Sequence, residues 1–196
     1  MRFITTDRSI ANALRYMKVP ATAKIDELID VVREAFDRLD KFVTPRFLSG
    51  RFHIIHFDGG IEFEGCYIYS ENIAKLTAHS NECYIIAMTL GHDVDREISL
   101  EQQRNMLDGL ALDACASVRA DEFCDYAINT EIVPYLNKGE ILTHRFSPGY
   151  GDLDIKVTDD ILQILNATKK IGLSTTSSMM MTPVKSITAI IGITHA

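Results

Sequence analysis

The sequence has neither an excess of positive charge nor a long apolar run. Its 20 lysines and arginines are outnumbered by 27 aspartates and glutamates, which gives a formal net charge of −7. With no basic cluster, binding to a nucleic-acid backbone is disfavoured. No apolar stretch reaches the roughly 18 residues that a membrane span needs, and the N-terminus lacks the apolar region of a signal peptide. We therefore expect a cytoplasmic protein without a nucleic-acid or membrane partner.

Patterns for metal binding and for self-contained catalysis are also missing. The four cysteines, at positions 66, 83, 115 and 124, form no Cys-x-x-Cys pair, and no histidine lies at ligand spacing from them. We interpret them as buried free thiols and expect no metal site. The sequence has no nucleophile–base triad, no Gly-rich phosphate loop before a helix and no His-Glu-x-x-His motif. It therefore predicts a binding cleft and no catalytic residue of its own.

Hydrophobic patterning predicts helices mixed with strands in one domain spanning residues 1–196. Residues 1–45 read as a helical part, and residues 46–196 as a sheet with a long helix and a ligand loop. Asp58-Gly59-Gly60 indicates a hairpin turn, and the apolar run from Cys83 to Gly91 indicates a buried central strand. Because no βαβ repeat is visible, the sequence predicts an α+β fold with helices packed on an antiparallel or mixed sheet.

A long helix is expected from Ser99, which with Gln102 matches a capping box, to about Ile128. Asp121 follows the apolar positions of this helix at the same spacing, and a carboxylate on the core side is costly unless it is paired or faces a ligand. Two interpretations stay open. Asp121 faces a ligand cleft, or the stripe drifts and leaves Asp121 in solvent or bonded to a nearby strand. The apolar positions are Leu107, Leu110, Ala114 and Val118.

The segment Arg145–Asp152 (RFSPGYGD) concentrates one cation, one phenol and two glycines. Pro148 fixes its own φ, while Gly149 and Gly151 can take positive φ and let a ligand approach the backbone. The segment predicts a tight turn with exposed N–H groups beside a guanidinium and a phenol. That chemistry suits a small anionic ligand with a flat ring, although a solvated surface turn has the same composition.

This segment resembles the R-x-x-x-G-Y signature of the activation (reactivation) domain of cobalamin-dependent methionine synthase. With Thr143 in front, it is most similar to the T-x-R-F-S-P-G-Y-G-D string of the short stand-alone proteins of that family. A second block agrees, with Ile171-Gly172-Leu173 followed by residues 178–193. A weaker match begins at Leu112-Asp113-Ala114. Together these blocks extend the resemblance from about Ser70 to the end of the sequence.

The resemblance implies that the chain binds S-adenosylmethionine and acts on cobalamin held by a partner, a corrinoid-binding methyltransferase module. A flavodoxin or ferredoxin would supply one electron. Arg145 would bind the methionine carboxylate, and Asp121, or Glu122 if the register is one residue off, would offset the ligand's positive charge. The full set of expected ligand contacts is Asp121, Glu140, Arg145, Gly149, Tyr150 and Gly151.

Two departures from the family pattern favour an alternative. Ser177 stands where the family has a glutamate, and no N-terminal aspartate matches the one that holds the ligand's amine in the full-length enzymes. Each departure removes a possible ligand contact. The alternative is a non-catalytic docking protein for a corrinoid protein, one that keeps the fold but has lost the ligand. A generic small-molecule binder that uses the same cleft is a third hypothesis.

Overall fold

The computed structural model describes residues 3–19 and 25–195. The helices in these residues are α1 Asp7–Tyr16, α2 Ile25–Leu39, α3 Glu71–Leu76, α4 His92–Arg104, α5 Met106–Ala127, α6 Val157–Ile164 and α7 Ala167–Ile171. A π-helix, Ile128–Ile132, and a 3₁₀ helix, Val133–Tyr135, continue from α5. The strands are β1 Arg46–His53, β2 Ile55–Phe57, β3 Gly60–Phe63, β4 Cys66–Tyr69, β5 Glu82–Thr89, β6 Glu140–Leu142, β7 Ser174–Thr175, β8 Met181–Thr182 and β9 Ser186–His195.

The central feature is a four-stranded sheet in the order β1-β5-β9-β6, with every neighbouring pair antiparallel. The predicted central strand is β5, which pairs with β9 through partners such as Ile85 and Ile190. A second sheet, β2-β3-β4, contains the predicted hairpin, and β7 pairs with β8. The predicted α+β fold with helices on an antiparallel sheet is therefore confirmed.

Two hydrophobic cores lie on opposite faces of the four-stranded sheet. Tyr84, Ile86 and Met88 of β5 pack with buried residues of α1, α2, α4 and α5. Ile85 and Ala87 point the other way, as alternation along a strand requires, and pack with the small sheet, α6 and α7. Because both faces are covered, β5 reads as a continuous apolar run rather than an alternating one.

The expected long helix is interrupted, so that prediction needs correcting. Asn105 has φ −143° and ψ 111°, which ends α4 and starts α5. Its Oδ1 accepts from the N–H of Leu107 at 3.0 Å, as a helix N-cap does. Ser99 lies inside α4 and donates to the Asp95 carbonyl, so it caps nothing. Within the described residues, no helix is long and apolar enough to cross a membrane.

All four cysteines are free thiols, and three of them are fully buried. The exception is Cys66, which is only partly covered. Burial is the main cause that raises the pKa of each thiol to about 12. The thiols therefore stay protonated and poorly nucleophilic at neutral pH, because the thiolate is the reactive form.

Candidate functional site

The C-terminal end of the RFSPGYGD segment is fixed to α3. The carboxylate of Asp152 accepts from the Ser70 hydroxyl at 2.5 Å and from the Glu71 N–H at 2.8 Å. Ser70 in turn accepts from the N–H of Ile73 at 3.1 Å, so the two side chains together cap this helix. The hydrogen bond from Ser70 is the main reason that the pKa of Asp152 is lowered. This end of the segment has a structural role.

The two glycines of the segment take the positive φ values that were expected, 89° for Gly149 and 57° for Gly151. At Gly151 a Cβ atom would lie 2.3 Å from Asn72 Nδ2, so the close neighbour is a protein side chain. The N–H of Gly149 donates to Leu153 and that of Tyr150 donates to Ser147. The expectation of exposed N–H groups is therefore wrong for these two residues, because the turn uses them internally.

The N-terminal end of the segment faces α5. Arg145 donates from Nη2 to Asp121 Oδ1 at 2.8 Å, and its Nε lies 3.4 Å from Asp125 Oδ1. Phe146, the next residue, pairs with Ile190 of β9 through two backbone hydrogen bonds of 2.9 Å. This bridge fixes the backbone directly beside the arginine. The structure thus brings Arg145 and Asp121 together, with Asp125 as a second carboxylate.

Helix α1 contributes to the same site. The Tyr16 hydroxyl donates to Asp121 Oδ2 at 3.0 Å, so each oxygen of that carboxylate has a partner. Burial, and then the charge of Asp121, raise the pKa of Tyr16. The sequence offered no signal for Tyr16, because polar residues on an amphipathic helix look alike. Asp125 had a signal, since it lies four residues after Asp121 on the same helical face.

Three cavities meet at Arg145. A polar cavity of about 520 Å³ lies between α1 and α5, and Asn12 and Asp121 are part of its lining. A smaller one, of about 380 Å³, is lined by Tyr150, His144 and Asp121 among others. The third, of about 610 Å³, is mainly apolar. Among the described residues that line these cavities, neither of the loop glycines appears.

The candidate Glu140 lines the apolar cavity, but its carboxylate is held by other groups. Arg51 donates to it at 2.7 and 3.0 Å, and Asn137 donates through its backbone and side chain. The hydrogen bonds from Arg51 are the main reason that the pKa of Glu140 is lowered to about 2. Glu82 of β5 contacts the same guanidinium. Glu140 thus belongs to an ion-pair cluster across the sheet edge.

Glu122, the alternative to Asp121 as a ligand contact, also has its carboxylate bound by other side chains. Its carboxylate accepts from the Ser9 hydroxyl and from Arg119, both at 2.6 Å. Arg119 was not singled out from the sequence, yet its side chain is completely buried. The described parts of the chain contain no cluster of three or more His, Cys, Asp or Glu side chains that could hold a metal ion.

Comparisons with known proteins inform the fold. No family model matches the sequence, and no curated protein matches it. Among solved structures, the chain is similar to the crystal structure of the MetH reactivation domain bound to AdoHcy, with a TM-score of 0.67 and 18% sequence identity. The match covers 91% of this chain and 68% of that one. At this identity the similarity establishes a shared fold, that of the MetH reactivation domain.

Proposed function

We propose that this chain is an accessory reactivation subunit that binds S-adenosylmethionine and supports reductive methylation of cob(II)alamin on a corrinoid-binding methyltransferase. The observation that carries the proposal is the pair Arg145–Asp121 at the meeting point of three cavities. A cation and an anion side by side match the carboxylate and ammonium of the ligand's amino-acid end. The neighbour with the same fold holds AdoHcy, which is this ligand without its methyl group.

Each side chain has room for the role assigned to it. Nη1 of Arg145 has no partner within the described residues, so it can donate to the ligand carboxylate. Asp121 has 42% of its side chain exposed and can offset the ammonium or sulfonium charge. Tyr150, which is 69% exposed, can pack beside the sulfonium or the adenine. In this proposal Gly149 and Gly151 shape the loop, and Glu140 lies on the cavity rim.

In this proposal the bound S-adenosylmethionine would supply the methyl group and leave as AdoHcy, and a flavodoxin or ferredoxin would supply one electron to the cobalamin on the partner protein. This chain would bind and orient the methyl donor, and the partner would hold the cobalamin. The free, protonated thiols suit the reducing cytoplasm, where we place the protein.

The docking alternative also has an observation in its favour. One face of the small sheet carries Ile55, Tyr67 and Tyr69, which are 64%, 65% and 73% exposed. Phe57 packs against both tyrosines, with ring centroids 6.2 and 5.2 Å away. Exposed aromatic groups of this kind are typical of protein interfaces. A docking protein needs such a face and does not need Arg145 to bind anything.

Calorimetric titration with S-adenosylmethionine and AdoHcy tests the proposal. Wild-type protein and an Arg145→Met variant are compared, with Arg33→Met as a control because Arg33 is an exposed arginine on α2 outside the three cavities. Removing a charged hydrogen bond to the ligand should weaken binding by about 10- to 150-fold in Arg145→Met and leave the control unchanged.

If the Arg145→Met variant and the wild type bind S-adenosylmethionine with equal affinity, Arg145 is not a ligand contact. Absence of saturable binding, both for the chain alone and with a cobalamin-loaded partner present, would contradict the proposal and leave the docking alternative.

A further inference from the structure

The outer face of the small sheet β2-β3-β4 carries a row of aromatic side chains. Side chains that are two residues apart along a strand, or directly opposite across strands, share one face of a sheet. The register places five side chains on this face, Ile55, Phe57, Glu62, Tyr67 and Tyr69. The alternate residues, such as Ile61 and Ile68, point into the buried core. These five side chains, here called the aromatic face, therefore lie on the side of the sheet away from the core.

Phe57 fixes the two tyrosines of the aromatic face. Its ring lies over Gly60 of the neighbouring strand, since a Cβ on that glycine would lie 2.5 Å from Phe57 Cζ. The same ring packs against both Tyr67 and Tyr69, which nevertheless remain mostly exposed. The exposed ring surface thus rests on a support that is already ordered, and little side-chain entropy is lost when a partner covers it.

Carboxylates surround the aromatic face. Residues 54–71 contain neither lysine nor arginine but four acidic residues, Asp58, Glu62, Glu64 and Glu71. Glu62 lies on the face itself, directly opposite Tyr67, and Glu64 lies in the turn that follows β3. At the other end, a Cβ on Gly59 would lie 3.5 Å from Glu71 Oε1, so this carboxylate lies at the hairpin turn that contains Asp58. Acidic groups therefore flank both ends of the face.

The surrounding charges select the chemistry of the partner. A guanidinium stacks on a tyrosine ring and also pairs with a carboxylate through two parallel hydrogen bonds, so arginine matches both parts of this surface. The exposed contact of Glu71 with Lys75, at 3.7 Å, is weak and can exchange for the cation of a partner. Nucleic acids and anionic membranes would be repelled. Two copies that met through this face would place the same carboxylates against one another.

We propose that the aromatic face docks an extended, arginine-bearing segment of a partner protein. Side chains on one face of a strand repeat about every 7 Å, which is the spacing of Tyr67 and Tyr69. Arginines two residues apart in an extended segment therefore each stack on one ring, and the flanking carboxylates pair with them. Among the described residues that line the three cavities at Arg145, none belongs to the aromatic face. The inference is thus independent of S-adenosylmethionine binding.

A short capped peptide of alternating arginine and glycine is the probe, and the same peptide with citrulline in place of arginine is its uncharged control. NMR titration should give saturable amide shifts at Tyr67 and Tyr69 with the arginine peptide, and added salt should weaken the binding. Tyr69→Ala should weaken it by about 2- to 30-fold, the range of cation–π contacts. Tyr135→Ala is the matched control, because Tyr135 is equally exposed, at 73%, and lies outside the small sheet.

A second pair of variants tests the charge without removing a ring. Glu62→Gln should weaken binding of the arginine peptide by about 2- to 5-fold, as expected for an exposed ion pair. The glutamine keeps an oxygen that can accept from the Gly65 N–H, as Glu62 does at 2.7 Å. Glu34→Gln, at an exposed position on α2, makes the same charge change elsewhere and should leave the affinity unchanged. Arg145→Met should also keep it.

Losses confined to Tyr69→Ala and Glu62→Gln would support the inference, whether or not the chain binds S-adenosylmethionine. Equal losses in the two controls would mean that the peptide follows the net charge of the chain, and the inference would fail. Equal affinity for the citrulline peptide, or no amide shifts at millimolar peptide, would also overturn it. Self-association in sedimentation experiments that Tyr69→Ala abolishes would make a second copy the occupant and contradict a basic partner.

Discussion

Helix α5 takes part in two arginine clusters, a closed one around its own Arg119 and an open one around Arg145 of the loop. In the closed cluster, Arg119 donates to Asp40, Glu122 and Thr5. Its guanidinium carbon also lies over two aromatic rings, 4.9 Å from the centroid of Phe3 and 4.3 Å from that of Phe36. The side chain has no exposed surface. Arg119 lines none of the three cavities at Arg145, so a ligand in them does not reach its guanidinium, and this cluster holds α1, α2 and α5 together.

In the open cluster, Arg145 of the loop contacts Asp121 and Asp125 of α5. These two carboxylates lie about half a turn and just over one and a half turns after Arg119 on the same helix. The side chain of Arg145 is 26% exposed, and the two carboxylates are 42% and 65% exposed. Three cavities adjoin it. Similar ion pairs therefore differ in solvent access and available space, and these properties distinguish a binding site from a structural support.

Arg119→Met should have the largest effect on stability. It leaves Asp40 and Glu122 without their buried cation, and loss of one partner from a buried ion pair costs about 3–5 kcal/mol. We expect the free energy of unfolding, measured by urea denaturation, to fall by that amount. Arg145→Met is the comparison, and its free energy of unfolding should change by no more than about 1 kcal/mol because its partners are exposed. Equal losses in the two variants would show that the clusters do not differ.

Glu140→Gln tests whether a further arginine cluster, Arg51 with Glu82 and Glu140, supports the fold or binds a ligand. The pKa of Glu140 is lowered to about 2 in the folded state. A lowered carboxyl pKa stabilises the fold above the ordinary value, near 4.3, and that contribution disappears as pH falls towards 2. The wild type should therefore be more stable than the variant at pH 7, and the difference should shrink between about pH 5 and 2.

Denaturation curves over that pH range measure this difference, and titration with S-adenosylmethionine at pH 7 provides the second measurement. If the cluster only supports the fold, Glu140→Gln should bind S-adenosylmethionine with the affinity of the wild type. A clear loss of affinity would make Glu140 a ligand contact, as the resemblance to the family implies, and would move this cluster to the open class.

The sequence predicted elements whose signals are local. Strand β5 is a continuous apolar run, and the turn at Gly59 joins two paired strands, so both could be identified from neighbouring residues. The break at Asn105 was missed because apolar residues recur on both sides of it. Close packing also contributes there, since a Cβ on Gly109 would lie 2.7 Å from the backbone N of Gln102. Such a contact leaves little trace in composition.

The site was predicted in part for the same reason. Arg145 and Asp121 emerged from a motif and a helical spacing, and the structure places them 2.8 Å apart. Tyr16 reaches Asp121 across 105 residues, and Arg119 reaches Asp40 across 79. Pairings over such distances depend on how helices pack, which periodicity along one helix cannot reveal. The departures at Ser177 and near the N-terminus concern ligand contacts, which titration with S-adenosylmethionine tests.

Tyr16→Phe should have the smallest effect, and helix α1 offers its own matched comparison. Tyr16 bonds the open cluster through Asp121, whereas Ser9, seven residues earlier, bonds the closed one through Glu122. Tyr16 is 45% exposed, so water can replace the lost hydrogen bond, and the free energy of unfolding should fall by at most about 0.5 kcal/mol.

Ser9 is 1% exposed, and Ser9→Ala removes its hydrogen bond to the partly buried carboxylate of Glu122, a bond to a charged group that should contribute about 1.5–3 kcal/mol. Urea denaturation of both variants measures the two losses on one helix. A loss for Tyr16→Phe as large as that for Ser9→Ala would mean that α1 is held at the open cluster as firmly as at the closed one. The polar cavity would then have a fixed wall, and its size could not adjust to a ligand.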